Sequence, residues 1–280
     1  MGRQIQDKLN LLQRSLPDGL VADAAWLEKH GYSRSLRNKY VAHGWLDQVA
    51  RGVYRRPTPR RQAQASQKGL PWQAVVISLQ MLLGCPYTVG GRTALELQGF
   101  AHYLSSGRRL EIHLYGTGKP PSWVSKLQLE NRFVFHNADR LFKAESSCGN
   151  RSDAEKDLLP SSYIRQPWGQ WEWPLTMSSP ERASLELLDE VPQRETFHQA
   201  DVLMEGLRNL SPRRVHMLLA ACRSVKVKRL FLWFAERHQH PWLNKLDRKD
   251  IDLGHGKRVL VRGGKLDKTF HITVPESFGG

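Results

Sequence analysis

The chain has 280 residues, enough for one large domain or, as its composition favours, two. Hydrophobic residues make up 40% of it, so it can build a core and is not a disordered tail. Lys and Arg number 42 against 27 acidic residues, and this formal charge of +15 favours a polyanionic partner, usually nucleic acid.

The positive charge is concentrated at two ends of the chain. Residues 1–61 hold 12 basic and 5 acidic side chains, and residues 207–268 hold 16 and 5. The stretch between them, residues 62–206, is close to neutral with 14 and 16. No apolar run approaches the roughly 20 residues of a membrane helix. The 3 cysteines are far apart in the sequence and show no metal-binding spacing. We therefore expect a cytoplasmic protein that has no signal peptide and no cofactor or metal.

A helix-turn-helix is predicted near the start of the chain. An amphipathic helix over residues 3–15 precedes it, with apolar positions at i, i+4 and i+7. Two short helices follow, over residues 22–30 and 34–43, and each stops at a glycine. Ser33 is a suitable N-cap for the second of them. Two helices joined by a tight turn that contains glycine are typical of a helix-turn-helix.

The residues after this motif predict a small β-hairpin. Leu46–Val49 and Val53–Arg55 alternate apolar and polar side chains around Arg51 and Gly52. A helix-turn-helix followed at once by such a hairpin indicates a winged helix.

The second helix has one face that suits DNA. Leu36, Tyr40 and His43 share one side and are predicted to pack inward. Arg34, Arg37 and Asn38 are predicted to lie on the other side, together with Val41, whose small apolar group could touch a thymine methyl. Arginine can pair bidentately with guanine and asparagine with adenine, whereas the alternative interpretation is an ordinary solvated face. The predicted DNA contacts in the helix are Ser33, Arg34, Ser35, Arg37, Asn38 and Lys39. Those in the wing and linker are Arg51, Arg55, Arg56, Arg60 and Arg61.

These residues also resemble a known family. The short helix and its Gly-Tyr-Ser turn, the stretch Tyr40–Leu46 and the motif Arg51–Tyr54 resemble the N-terminus of AbiEi-type antitoxins. Those proteins belong to type IV toxin–antitoxin systems, which are linked to abortive phage infection. The resemblance extends to Gly90–Leu95, which Gly99 follows, and to Ser179–Ala183.

The resemblance implies a function for each half of the chain. The N-terminal domain of such proteins binds double-stranded operator DNA, with repeats in its own promoter, and represses its own operon. The C-terminal domain counteracts a nucleotidyltransferase toxin, with no stable complex between the two proteins and no membrane partner. The sequence leaves a second regulator class open, namely a winged-helix protein that senses a ligand or dimerises and is unrelated to a toxin.

The remainder of the chain is predicted to be mixed. Residues 57–69 are polar and are interpreted as a linker, although part of the stretch could instead extend the wing. The Gly90-Gly91 pair could offer amides to a phosphate, although a tight turn is the favoured interpretation. Helices are predicted at 71–83, from Pro120 onward, and at 181–190, 196–208, 211–222 and 224–238. Strands are predicted at 110–115, 132–136, 171–175, 257–261 and 269–274, and loops over 143–169.

The overall prediction is an α+β protein. A winged helix-turn-helix at residues 1–61 precedes a larger mixed domain, residues 62–280, which is rich in helices towards its end. A sub-boundary is predicted near 166–206. Trp171 and Trp173 alternate as in a strand and are predicted to pack in a core, although a cluster with Trp168 could instead stack bases or bind protein.

The second basic end suggests another polyanion contact. Several of its charges lie near a predicted helix start, where positive side chains oppose the helix dipole and so do not stabilise the helix. The predicted contacts, to DNA or RNA, are Arg213, Arg214, Arg223, Lys226, Lys228 and Arg229. The alternative is a solvated surface.

A metal-dependent nuclease is the main alternative of another class. Such enzymes hold Mg²⁺ with carboxylates and place an acid, one residue and a lysine on a strand. Asp247, Arg248 and Lys249 have that order but do not follow a predicted strand. Asp153, Glu155 and Asp157 cluster in a polar stretch that a solvated loop explains better. We therefore expect no catalytic residues.

Overall fold

The computed structural model describes residues 2–58, 69–100, 110–142 and 162–278, with side chains from residue 7 onward. The chain forms two compact units. The first comprises Met1–Tyr87, Gly118–Arg132 and Gln166–Leu175, and the second comprises Thr88–Thr117, Phe133–Arg165 and Thr176–Gly280. No helix among the described residues is long and apolar enough to cross a membrane.

The first unit begins with a winged helix-turn-helix. Its elements are α1 (Gly2–Ser15), β1 (Val21–Asp23), α2 (Ala24–Lys29), α3 (Arg34–Ala42), β2 (Asp47–Ala50) and β3 (Val53–Arg55). The three strands form an antiparallel sheet in the order β1-β3-β2. This architecture confirms the predicted fold. The helix predicted to start at Ala22 starts at Ala24 instead, because Val21–Asp23 form strand β1, which was not predicted.

A further helix packs on this winged unit. Helix α4 (Trp72–Met81) places the Ser78 hydroxyl 2.9 Å from the Val21 amide of β1, from which it accepts a hydrogen bond. The same hydroxyl donates to the Ala74 carbonyl at 2.6 Å, so both of its bonding roles are used inside the core. The domain boundary predicted at residue 61 lies outside the described residues, and the sub-boundary near 166–206 stays a prediction.

A five-stranded sheet runs in the order β6-β5-β4-β8-β7. Its strands are β4 (Thr88–Val89), β5 (Glu111–Gly116), β6 (Arg132–Asn137), β7 (Tyr163–Trp168) and β8 (Trp173–Ser178). Strand β4 pairs antiparallel with β5 and parallel with β8. Strand β7 was not predicted from the sequence, which indicates loops over residues 143–169.

One buried helix organises the helices of the second unit. These are α5 (Gly91–Leu97), α6 (Pro180–Glu190), α7 (Phe197–Glu205), α8 (Pro212–Ala221) and α9 (Val225–Arg237). Helix α6 contacts all four others, and residues 181–188 are buried along its length. Helices α6 to α9 match the helices predicted at 181–190, 196–208, 211–222 and 224–238 to within a few residues at each end.

Three local predictions are wrong. The helix expected after Pro120 is only a 3-10 turn over Val124–Lys126. Trp171 lies in the turn before β8 and is 55% exposed, so it does not share a core face with Trp173. The strand expected at 257–261 forms only an isolated bridge, at Arg258, because the next amides donate to a side chain. The strands near this end are β9 (Lys265–Asp267) and β10 (Ile272–Val274).

Candidate nucleic-acid interface

Helix α3 is held in place by caps and glycine turns. The Asp23 carboxylate accepts a 2.8 Å hydrogen bond from the Trp26 amide and thereby caps α2. Gly31 has a φ of +84°, in the left-handed region, and the turn it makes leads into α3. The Ser33 hydroxyl then accepts from the Leu36 amide at 3.4 Å, as its position in the sequence predicts. The chain leaves α3 at Gly44, where φ is +70°.

The outer face of α3 is exposed and polar. Arg34, Ser35, Asn38 and Lys39 are all exposed and lie at the i, i+1, i+4 and i+5 spacing of one helix side. The side chains of Arg34, Asn38 and Lys39 make no hydrogen bond or ion pair with the part of the chain that the structure describes. Ser35 lies 3.1 Å from Ser33, hydroxyl to hydroxyl. These side chains are therefore available to a ligand.

Arg37 does not belong to this face, and its predicted contact with DNA is wrong. The residue is only 5% exposed. Its guanidinium donates to the Tyr32 carbonyl at 2.7 Å and to the Ala24 carbonyl at 3.3 Å, and it lies 5.9 Å from the centre of the Tyr54 ring. The reason is helical geometry, since Arg37 lies one turn before buried Tyr40. Arg37 thus joins α3 to the turn, to α2 and to the wing.

The buried face of α3 also differs from the predicted one. Tyr40 is fully buried, whereas Leu36 is half-buried and His43 is exposed. Burial raises the pKa of the Tyr40 phenol, so the side chain stays neutral in the core. Trp45 packs edge-on against Tyr40, with 5.2 Å between the ring centres.

The wing offers one exposed cation among its described residues. Arg51 lies at the tip of the β2–β3 hairpin beside Gly52, whose φ is +77°. Arg55 instead pairs with Asp47 at 2.9 Å across the hairpin. Arg56 pairs with Asp18 at 2.7 Å and donates to the Gln13 and Leu16 carbonyls. Both side chains are therefore engaged within the unit. The predicted contacts Arg60 and Arg61 lie outside the described residues.

The second predicted basic contact is largely internal. Lys228 and Arg229 are buried, and Lys226 is half-buried. The Lys226 ammonium donates to the carbonyls of Asp189 and Val191 at 2.6 and 2.9 Å. Placing these three side chains on a binding surface was wrong, because each donates to backbone oxygens of the same unit.

Arg229 is the most engaged of these side chains. Its guanidinium donates to the carbonyls of Leu253, Gly254 and Gly256 at 2.8, 3.0 and 2.6 Å. Lys228 adds a 3.0 Å hydrogen bond to the Asp252 carbonyl. Lys228 and Arg229 thus donate hydrogen bonds to the backbone carbonyls of an irregular segment. Because this segment belongs to no helix or strand, its carbonyls have no regular backbone partners.

The other three predicted cations differ among themselves. Arg214 pairs with buried Glu181 at 3.1 Å, so it too serves the fold. Arg223 is exposed and donates to the Asp139 carbonyl at 3.2 Å. Arg213 is exposed.

A buried carboxylate joins the two motifs of the second unit that carry the family resemblance. Glu186 accepts hydrogen bonds from the Gly91 amide at 3.0 Å, the Ser178 hydroxyl at 3.1 Å and the Arg182 guanidinium at 2.9 Å. A side chain at Gly90 would collide with the Glu186 carboxylate. The amide that could have held a phosphate is thus occupied by the protein's own carboxylate, which agrees with a tight turn.

Of the acidic residues in the nuclease alternative, only Asp247 lies among the described residues, and it belongs to no metal site there. Asp247 and Lys249 lie in a loop and turn, where the Asp247 carboxylate accepts from the Lys249 amide at 3.0 Å. Arg248 pairs with Glu236. Across the described residues there is no group of three or more His, Cys, Asp or Glu that could hold a metal ion. Asp153, Glu155 and Asp157 lie outside those residues.

The fold of the first unit is that of winged helix-turn-helix proteins, and comparison with known families makes the class specific. Residues 5–106 match the N-terminal domain of the AbiEi antitoxin transcriptional regulators. Residues 109–275 match the transcriptional regulator described as the AbiEi antitoxin of type IV toxin–antitoxin systems. The chain therefore belongs to the AbiEi family of antitoxin transcriptional regulators.

One solved structure supports the same fold. The crystal structure of the RV2827C protein from Mycobacterium tuberculosis is similar to this chain with a TM-score of 0.51. The similarity covers 94% of this chain and 88% of that chain, at 13% sequence identity. Such low identity supports the fold alone. No curated protein matches the chain significantly.

Proposed function

We propose that the protein is the antitoxin and autorepressor of a type IV toxin–antitoxin operon. It binds double-stranded operator DNA through the outer face of α3 and the tip of the wing. The observation that carries this proposal is the set of exposed side chains without internal partners on α3. The family membership of the chain supports the same function.

The proposed roles within α3 follow from its side-chain chemistry. Residues near the start of a recognition helix reach base edges in the major groove. Arg34 can pair bidentately with guanine, and Asn38 with adenine. Lys39 and Ser35 are suited to phosphate oxygens, which fix the register of the protein on the duplex.

Arg51 has a different proposed role, at the tip of the wing. A single cation on a hairpin can follow the phosphate backbone without reading bases. The wing therefore adds affinity for all DNA, while α3 distinguishes one sequence from another.

The second part of the proposal concerns the region that follows the winged helix. We propose that it counteracts a nucleotidyltransferase toxin without forming a stable complex with it. The match of residues 109–275 to the antitoxin family supports this assignment. A reading frame for a nucleotidyltransferase directly downstream of this gene would be the expected genomic arrangement.

Footprinting on the promoter of the gene itself tests the proposal most simply. A protected, repeated site that an excess of random DNA does not compete away is the expected result. Protection that random DNA abolishes would contradict a sequence-specific repressor. Supercoiled DNA incubated with the same preparation and Mg²⁺ should stay intact, whereas cleavage would favour the nuclease.

A further inference from the structure

Three titratable side chains form a hydrogen-bonded chain inside the second unit. They are His113 of β5, His136 of β6 and Glu190, the last residue of α6. The Nδ1 of His136 lies 3.1 Å from a Glu190 carboxylate oxygen, and its Nε2 lies 2.9 Å from the Nδ1 of His113. Side-chain contacts thus join two neighbouring strands to the end of a helix.

The chemistry of the three groups assigns each hydrogen. An ionised carboxylate can only accept, so the Nδ1 of His136 carries a hydrogen and donates it to Glu190. The Nε2 of neutral His136 is then bare and accepts from the Nδ1–H of His113. One hydrogen therefore lies between the two rings. Two imidazolium ions could not make this contact, because each would point an N–H group at the other.

His113 is fixed in the inner part of the sheet. Its strand, β5, lies between β6 and β4. The His113 amide donates to the Thr93 hydroxyl at 3.0 Å, and the His113 carbonyl accepts from the Gly90 amide at 3.0 Å. The residue is only 4% exposed, so a charge on its ring would be poorly solvated.

Glu190 is fixed through its backbone neighbours. The Lys226 ammonium donates to the carbonyls of Asp189 and Val191, the residues on either side of Glu190, at 2.6 and 2.9 Å. Burial acts to raise the pKa of Glu190, but the hydrogen bond from His136 and nearby positive charges lower it overall. The carboxylate is therefore ionised at neutral pH and serves as a permanent acceptor.

His136 is the member of the chain that can move. It lies on β6, which is an edge strand of the five-stranded sheet in the part of the protein that the structure describes. Its ring stacks on Tyr115 of β5, with 4.4 Å between the ring centres. The Tyr115 hydroxyl donates to the Glu186 carbonyl at 3.2 Å and so stays with α6. Displacement of β6 would separate His136 from its partners and expose His113.

The other charged groups around the chain are ion-paired. The pairs are Arg92 with Glu96 and Glu195, Asp189 with Arg140 and Lys226, Glu186 with Arg182, and Arg194 with the second oxygen of Glu190. Burial raises the pKa of Tyr115 well above its usual value, so this phenol stays neutral. Within the cluster, the histidines are the side chains of the type that titrates in mildly acidic solution.

The closed contact keeps His113 neutral. Burial, and then His136, lower the pKa of His113 to about 4, although Glu190 acts in the opposite direction. The pKa of an exposed histidine is about 6.5. Opening the contact therefore lets His113 bind a proton from solvent on its bare Nε2. Below about pH 6.5, each unit of pH favours the open form by up to about tenfold, until about pH 4.

We propose that His113, His136 and Glu190 form an acid-sensitive latch, which holds the edge strand β6 in place at neutral pH and releases it as the pH falls. The opening is local, because the other attachments of β5 and α6 do not involve histidine side chains. All three residues lie within residues 109–275, so the part of the chain that matches the antitoxin family contains this response.

Hydrogen–deuterium exchange of the full chain, converted to protection factors at each pH, tests the latch. Protection of the β6 amides should fall about twentyfold from pH 7 to pH 5. Dilute urea should change the exchange of β6 little, because a local opening exposes little surface, whereas the buried strand β10 should lose protection. Exchange of β6 that is independent of pH, or that follows urea as β10 does, would overturn the proposal.

Substitutions identify the group that takes up the proton. His113→Gln should remove the pH dependence of β6 exchange, while His198→Gln, at an exposed histidine of the same unit, should keep it. Glu190→Gln should also keep it, because the carboxylate is not the group that gains the proton. A pH dependence that survives in the His113 variant, or that only the Glu190 variant loses, would contradict the latch.

A spectroscopic measurement on the parent protein decides the hydrogen-bond chain even where a variant fails to fold. Long-range ¹H–¹⁵N correlation spectra of histidine-labelled protein at neutral pH should show the Nδ1–H tautomer for both His113 and His136. A hydrogen on the Nε2 of His136 at neutral pH would overturn the proposal, because that nitrogen could then not accept from His113.

Discussion

Helices α3 and α9 begin in the same way and use their charges in opposite ways. Each has a serine N-cap, Ser33 and Ser224, followed by basic residues where the helix dipole disfavours them. In α3 two of the three cations, Arg34 and Lys39, are exposed, whereas Arg37 is buried. In α9 the cations Lys226, Lys228 and Arg229 donate to backbone carbonyls. A run of basic residues in a sequence therefore does not identify a surface.

The neighbouring segments explain the difference. Helix α9 lies against residues 252–256, which belong to no helix or strand, so their carbonyls need donors from elsewhere. Arg229 supplies a planar group with several N–H donors, which suits such a task. Helix α3 is followed by strands whose carbonyls accept hydrogen bonds within the sheet. The outer side chains of α3 are therefore not needed as donors to backbone carbonyls.

Replacing Arg229 should have the largest effect. Arg229→Met removes the buried guanidinium that donates to several partly buried carbonyls, and it should lower the free energy of unfolding by about 4 kcal/mol, measured by urea denaturation. The matched control, Arg213→Met, changes an exposed residue of the same basic region and should cost no more than about 0.5 kcal/mol. Equal losses of stability would contradict the contrast between buried and displayed charges.

Arg37 lies in α3, but its replacement should reduce stability, as the replacement of Arg229 in α9 should. Arg37→Met removes hydrogen bonds that join α3 to α2 and to the turn, and should lower the free energy of unfolding by about 2 kcal/mol. Arg34→Met, one turn earlier on the exposed face, should leave stability nearly unchanged. An Arg37 variant that is fully stable but defective on DNA would show that this side chain reaches the duplex after all.

A buried histidine extends the comparison to pH. Burial, and then the neighbouring His136, lower the pKa of His113 to about 4, so the side chain is neutral in the folded protein. The unfolded chain binds the proton at about pH 6.5, so stability falls as pH drops below that value. Between pH 7 and pH 5 the parent should lose about 2 kcal/mol more than His113→Gln.

Chemical denaturation at the two pH values gives this difference. The exposed His198 provides the control, since His198→Gln should keep the pH dependence of the parent. A His113 variant that loses as much stability on acidification as the parent would show that this histidine does not titrate as its surroundings require.

Replacing the exposed wing residue Arg51 should have the smallest effect, a modest loss of DNA affinity. Arg51→Ala should weaken binding to operator and random DNA alike and flatten the salt dependence by about 1 in slope. Arg55→Ala should change the slope less, because Arg55 already pairs with Asp47. A slope that stays the same in the Arg51 variant would indicate that the wing does not contact DNA.

The winged helix could be predicted because local signals define it. Gly31, Gly44 and Ser33 mark the ends of α2 and α3, and all three behave as their residue types demand. The polar face of α3 was also largely predictable, from the spacing of Arg34 and Asn38. Local patterns of this kind do not depend on distant parts of the chain.

The orientation of long cations could not be predicted in the same way. Arg37 and Arg229 are buried because carbonyls of other segments need their donors, and periodicity does not reveal such a demand. Burial of Glu186 depends likewise on Gly91, which lies 95 residues earlier in the chain. The segment 257–261 looked like a strand, yet Thr273 takes the amides that a ladder would use.

The central claim is that the outer face of α3 reads bases. The most direct measurement compares operator and random-DNA affinities of Arg34→Ala and Asn38→Ala at one fixed salt concentration, with Arg213→Ala as the control. We expect each α3 variant to lose about 1–3 kcal/mol on the operator and far less on random DNA. Equal losses on both duplexes, or losses no larger than those of the control, would contradict the claim.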